Sequence, residues 1–164
     1  MPEAQLDRFM FKIRIDYPQL SEEEDIVLRT TADREVRLEK VLDAGEIVSL
    51  QSIVRKVPVS RFVTRYAVTL ARNSRPSTPD TPKFIDDYVS WGAGPRASQN
   101  LILGAKARAI LQDRFNVAVE DVAAVAPPVL RHRLVLSFSA EAENVTVENV
   151  VNRLLEHTKV PEFI

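Results

Sequence analysis

Between residues 9 and 16 apolar and polar side chains alternate, with Phe9, Phe11, Ile13 and Ile15 on one side and Met10, Lys12, Arg14 and Asp16 on the other. A period of two predicts a strand with one apolar face. Tyr17-Pro18 ends it, because proline cannot donate to a ladder, and Ser21-Glu22-Glu23-Glu24 reads as a capping box opening a helix to about Thr31. From Glu46 the period lengthens: Ile47, Leu50, Val54 and Val57 fall three or four apart and form a helical stripe, which Pro58 closes. A second helix is expected after Ser60, with Phe62, Val63, Tyr66, Ala67 and Leu70 inward.

Pro76, Pro79 and Pro82 mark an exposed loop from Asn73 to Lys83. Residues 84–91 read as a short helix and Gly92-Ala93-Gly94 as a turn. Pro95 suits the first position of a long helix reaching about Asp113. Further helices are expected at 119–126, at 127–133 (restarted by Pro127-Pro128) and at 146–158, the last capped by Thr146 with Val147, Val150, Val151, Leu154 and Leu155 as its stripe. Leu134 to Phe138 reads as a strand beside Val36 to Leu42, with an extended turn as the alternative. The whole is one amphipathic strand followed by a helical bundle, and a lone strand is not a stable unit. It either packs on the bundle or ends a larger sheet.

Composition narrows the chemistry. At 164 residues with 45% hydrophobic and 27% charged content, the chain describes a soluble globular protein. It has no apolar run long enough to span a bilayer and no signal-peptide pattern, so a cytoplasmic location is the default expectation. Without cysteines there is no disulfide scaffold, thiolate metal site or cysteine nucleophile. His132 lies in an Arg-His-Arg run and His157 near a helix end, and both read as solvated or helix-terminal histidines. The net charge of −1 gives no global attraction to nucleic acid. No G-x-x-x-x-G-K-[ST] phosphate loop, G-x-S-x-G elbow or zinc-ligand spacing occurs. The carboxylates Glu22 to Asp25 and Asp86-Asp87 read as helix N-terminal charge and solvated surface. The chain alone does not read as an enzyme.

Two arginine motifs stand out. Pro2-Glu3-Ala4-Gln5-Leu6-Asp7-Arg8-Phe9, running into the strand that ends at Ile15-Asp16-Tyr17-Pro18, resembles the segment of MoxR-type AAA+ ATPases that carries the arginine finger, and Arg8 matches the finger. Gly92-Ala93-Gly94-Pro95-Arg96-Ala97-Ser98 resembles that family's sensor-2 motif at the start of a lid helix, with Arg96 at its arginine. Ala126-Pro127-Pro128-Val129-Leu130-Arg131-His132-Arg133 is similar to the family as well. Order and spacing agree over nearly the whole chain.

The resemblance implies a mainly α fold: residues 1–17 as the C-terminal edge of an α/β nucleotide-binding domain, contributing its terminal strand, and residues 18–164 as the helical lid. It implies ATP hydrolysis with Mg²⁺ in the intact parent protein, a homo-oligomeric ring expected to be a hexamer, and chaperone-like remodelling of client proteins, among them von Willebrand factor A-domain proteins. The family's phosphate loop, acidic Mg²⁺ motif and first sensor would lie before Pro2. No residue of this chain is expected to hold a metal, and neither a nucleic acid nor a membrane is an expected partner.

The guanidinium chemistry stands beside the resemblance, since phosphoryl transfer concentrates charge on the γ-phosphoryl oxygens and arginine offers them a permanently charged fork of donors. The plain alternatives are an ion pair of Arg8 with Asp7 or Glu3, and of Arg96 with some carboxylate. For the whole chain the alternatives are a stand-alone helical protein-interaction module and, more weakly, a nucleic-acid binder using Arg61, Arg65, Arg72 and Arg75.

Overall fold

The computed structural model describes residues 3–33, 36–79 and 81–160. In chain order these residues form α1 (Glu3–Leu6), α2 (Leu20–Thr31), α3 (Ala44–Lys56), α4 (Arg61–Asn73), α5 (Lys83–Tyr88), β1 (Val89–Trp91), α6 (Pro95–Leu111), α7 (Val119–Leu130), β2 (Val135–Leu136), α8 (Phe138–Ala142) and α9 (Val147–His157). The mainly helical architecture agrees with the expectation. Its centre is α6, whose buried residues Ala97, Leu101, Ala105 and Ala109 recur every four residues along one face, with Gly104 beside them. Small side chains there let α7, α4 and α3 approach closely. α9 then packs on α7, α4 and α5 through Val150, Val151 and Leu154.

Local chemistry sets the helix ends. Ser60 Oγ accepts the Val63 N–H at 3.2 Å to start α4, and Thr146 Oγ1 accepts the Asn149 N–H at 3.2 Å to start α9. α3 opens on a reciprocal box, in which Asp43 Oδ1 accepts the Glu46 N–H at 2.8 Å and the Glu46 carboxylate accepts the Asp43 N–H at 2.7 Å. For α2 the carboxylate that turns back is Glu22, accepting the Gln19 N–H at 2.8 Å. The start therefore lies two residues before the expected Ser21 box.

Three other expectations are corrected. Residues 127–133 do not restart a helix, because α7 runs unbroken through Pro127 and Pro128. Each proline removes an intrahelical N–H, a cost of about 3 kcal/mol in a helix interior. Full burial of Val129 and Leu130, worth roughly 1.5–3 kcal/mol each, offsets it. The second strand is only Val135–Leu136 and pairs antiparallel with β1, Val89 opposite Leu136, instead of with Val36 to Leu42. Buried Val89 and Leu134 bring these two segments together at the core, whereas Val36, Leu38 and Val41 are exposed. Residues 84–91 accordingly divide between α5 and β1, and α8, five residues long, is too short to show a period.

The alternating segment at 9–16 begins in a bend, has no regular secondary structure and makes no sheet ladder with any described residue. It lies across the bundle instead. The Lys12 N–H donates to the Pro128 carbonyl at 2.9 Å, and the Phe11 ring sits in the notch left by Gly104, where an added Cβ would come within 3.1 Å of it. Among the described residues nothing before Val57 is buried, and Ile15 (91% exposed) and Tyr17 (99%) stand almost free of the protein.

Candidate functional site

The Gly92-Ala93-Gly94 turn that launches α6 is fastened to the end of α4. Buried Ser74 donates from Oγ to the Ala71 carbonyl at 2.7 Å and accepts the Ala93 N–H at 3.0 Å, while Arg75 Nε donates to the Ala93 carbonyl at 2.8 Å. Only glycine fits at 92, since a Cβ there would overlap the Ser74 carbonyl oxygen. Gly94 is the cap and Pro95 the first helical residue, so Arg96 projects from the first turn of a fixed helix. Arg75 is thereby committed to the turn, which removes it from the arginine set considered for nucleic acid. Arg61, Arg65 and Arg72 remain exposed on α4.

Arg96 reaches Asp7. Its Nη1 donates to Asp7 Oδ2 at 2.7 Å, the carboxylate pairing that the sequence left as its alternative. The same carboxylate accepts from Arg133 Nε through Oδ1 at 3.0 Å. Arg133 has a side chain only 1% exposed, and it also donates to the carbonyls of Asp7 (2.9 Å), Phe9 (2.6 Å), Met10 (3.3 Å) and Val129. A buried guanidinium is tolerated only when its donors are satisfied, and here the N-terminal backbone satisfies them. His132 adds a contact from Nε2 to the Phe9 carbonyl at 3.0 Å, and Arg131 donates to the Lys12 carbonyl at 3.1 Å. Glu148 at the start of α9 lies 3.6 Å from Arg14 and 3.5 Å from Arg131.

Arg8 emerges between the clamped carbonyls of Asp7 and Phe9. It is exposed, and its guanidinium makes no hydrogen bond or ion pair with the described residues. Asp7, the first of its two expected ion-pair partners, is engaged by Arg96 and Arg133; the second, the Glu3 side chain, lies outside the described residues, as does Pro2. Arg96 is thus bonded to the residue that immediately precedes Arg8. Beside them Asp7, Trp91, Gly92, Gly94, His132, Arg133 and Val135 line a cleft of about 270 Å³.

Burial holds the His132 pKa below its ordinary value, with the Phe9 carbonyl opposing and the charges of Arg133 and Lys12 reinforcing the shift. His132 is therefore a half-buried clamp and not a solvated histidine. His157 ends α9, as expected, with its ring edge-on to Phe84 at 6.1 Å. The carboxylates keep their plain roles: Glu22 caps α2, and Asp86 accepts the Ser77 N–H at 2.8 Å. Among the described residues no group of three or more His, Asp or Glu side chains is placed to hold a metal, and no helix is long and apolar enough to cross a membrane.

Residues 83–154, from α5 into α9, match the AAA lid domain family. Residues 83–154 are an AAA lid. Around this lid the likeness extends to both ends of the chain, which is 35% identical over 99% of its length to "Chaperone MoxR1" of Mycobacterium tuberculosis and 32% identical over 98% to the uncharacterized protein YeaC of Bacillus subtilis. The crystal structure of a candidate ATPase from Cytophaga hutchinsonii superposes on 99% of the chain with a TM-score of 0.89 at 28% identity. The chain is a relative of the MoxR chaperones. It spans 43% of the first of these relatives, 48% of the second and 49% of the solved chain.

Asp7 and Arg133 are the residues that sequence reasoning missed as parts of this site. The signal was present in two places: an acidic residue beside the matched arginine, and a charged residue ending the Arg-His-Arg run just before apolar Leu134.

Proposed function

We propose that this chain is the C-terminal part of a MoxR-type AAA+ ATPase, with residues 1–17 the edge of its nucleotide-binding domain and residues 18–164 its lid, and that the intact cytoplasmic protein couples ATP hydrolysis to remodelling of client proteins. The observation that carries the reading is the placement of the two matched arginines. Arg96 leaves the first turn of the central lid helix toward Asp7, and the guanidinium of Arg8, the next residue, projects without a partner among the described residues. In this reading Arg8 is the arginine finger and Arg96 is sensor 2.

These residues fit the periphery of a bound Mg-ATP: they offer cationic donors, while the phosphate loop and the Mg²⁺ carboxylates belong to elements outside the 164 residues. Bound there, Mg-ATP supplies the phosphoryl group to be transferred. Arg8, held by its flanking carbonyls, presents a guanidinium to the neighbouring subunit, and Arg96 answers phosphate charge from a rigid helix. The segment 9–16 completes the sheet of the nucleotide domain. Head-to-tail contacts that close into a ring, a hexamer in this reading, bring each Arg8 to the next subunit's nucleotide. Von Willebrand factor A-domain proteins are the client class proposed.

The test is made in the full-length ring. An Arg8→Ala subunit with an intact phosphate loop is mixed with a subunit that keeps Arg8 but lacks the phosphate-loop lysine. Each alone is expected to be nearly inactive, since an arginine finger is worth about 10³–10⁵ in rate, roughly 4–7 kcal/mol. Mixed rings should recover ATPase activity. Full activity of Arg8→Ala alone, or no recovery in rings shown to be mixed, would return Arg8 to a surface role.

A further inference from the structure

We propose that Asp7 is a positioning residue that couples Arg96 to Arg8, with Arg133 as the fixed anchor of the coupling. The functional meaning of this coupling rests on the reading of Arg8 and Arg96 given above, but the coupling itself does not.

The argument lies in how unequally the two arginines hold one carboxylate. Arg133 is buried and has the backbone carbonyls of residues 7, 9, 10 and 129 as further acceptors, so it stays in place whether or not Asp7 is charged. The Arg96 side chain is 48% exposed, and Asp7 is its one bonded carboxylate among the described residues. Arg96 is therefore the partner that can exchange. An oxyanion arriving at Arg96 has to displace Asp7 Oδ2, leaving the carboxylate to Arg133 alone. Asp7 is covalently adjacent to Arg8, and the local backbone is held by two turn bonds, a slightly long one from the Arg8 N–H to the Gln5 carbonyl at 3.3 Å and one from the Phe9 N–H to the Leu6 carbonyl at 3.1 Å. A change at the carboxylate is thus delivered to the backbone of Arg8, while the carbonyls gripped by Arg133 keep the segment docked. Asp7 occupies Arg96 in the way a phosphate oxygen would, and this contact sets the resting position of Arg8.

The experiment uses the 164-residue chain and reads backbone amide exchange at Arg8 and Phe9 by NMR. Arg96→Ala and Asp7→Asn are each expected to raise exchange at these amides about three- to tenfold, as a local opening. The double variant should be no faster than the faster single one, because both remove the same link. Arg96→Lys, which keeps a charge within reach, should recover part of the protection. Arg131→Ala is the control for general loosening: it frees the Lys12 carbonyl without touching Asp7, and its effect should add to that of Asp7→Asn. Should Asp7→Asn lose the fold, Asp7→Glu replaces it in the cycle. Unchanged exchange at Arg8 in Arg96→Ala, or full additivity with Asp7→Asn, overturns the coupling. A positive cycle together with failed mixed rings removes the finger reading and leaves the coupling standing; recovered rings with a null cycle do the reverse.

Discussion

The neutral ring of His132 carries its proton on Nε2, because the Phe9 carbonyl 3.0 Å away can only accept. Nδ1 is buried and has no hydrogen-bond partner among the described residues, so a second proton would place an unsatisfied N–H in the protein interior. Burial, together with the Arg133 and Lys12 charges, therefore keeps the folded pKa below its ordinary 6.5. The sign follows from proton counting: between the folded value and 6.5 the unfolded chain binds the extra proton, and stability falls as the pH is lowered through that window. One proton limits the slope to about 1.4 kcal/mol per pH unit. Urea denaturation at a series of pH values from about 7.5 downward, through the range in which an imidazole titrates, should show this slope, and His132→Gln should flatten it. An unaltered slope in His132→Gln would assign the titration elsewhere.

α7 illustrates how an element can be secured by a residue other than its cap. Its cap is Ala118, without a hydroxyl, yet Asp121 one turn on accepts the Ala118 N–H at 2.9 Å and an Arg114 N–H at 2.8 Å, with Arg108 Nε 3.5 Å away. Burial by itself would raise this carboxyl's pKa, but the Arg114 and Ala118 bonds and the two arginine charges bring it below 3.8. Its stabilisation is complete above the unfolded value and disappears as the pH falls through the lower folded one. Asp121→Asn should accordingly cost about 1.5–3 kcal/mol at neutral pH, with the difference from wild type vanishing in acid. A cost that persists unchanged in acid would mean that packing, and not charge, is what Asp121 contributes. The same helix marks the limit of legibility in the sequence. Stripes with a clear period and a polar cap, as in α4 and α9, were readable because the local signal and the buried face coincide. The unbroken course through Pro127-Pro128 was not, since it depends on burial by partners distant in sequence. Likewise Arg8 and Arg96 could be picked out from their motifs. Their connection through Asp7 and Arg133 could not, because it joins three segments with no periodic relation to one another.

At the scale of the whole molecule, stability is concentrated in one part. The buried core begins at Val57, while Ile13, Ile15, Tyr17 and Leu20 and, further on, Leu38 and Val41 face outward. The proposed role of the first segment as a sheet edge gives those side chains a place to be covered. It also makes the 164-residue chain a poor ligand for nucleotide, since the lid contributes only outlying cations. Calorimetry with Mg-ATP should show no strong binding, and a micromolar or tighter dissociation constant would sink the proposal that the chain is only the C-terminal part of the ATPase. The Asp7–Arg133 clamp has a further consequence for the order of events in folding. Its two residues are 126 positions apart, so joining them closes a very long loop, costing on the order of 4 kcal/mol in chain entropy. The C-terminal end of α7 must be formed before it can grip anything. On a ribosome Asp7 emerges 126 residues before its partner, and the segment that carries Arg8 waits undocked until Arg133 has followed it. Its docking is a late step of folding and its release an early step of unfolding, so a newly made chain acquires its arginine geometry only after the bundle behind it is complete.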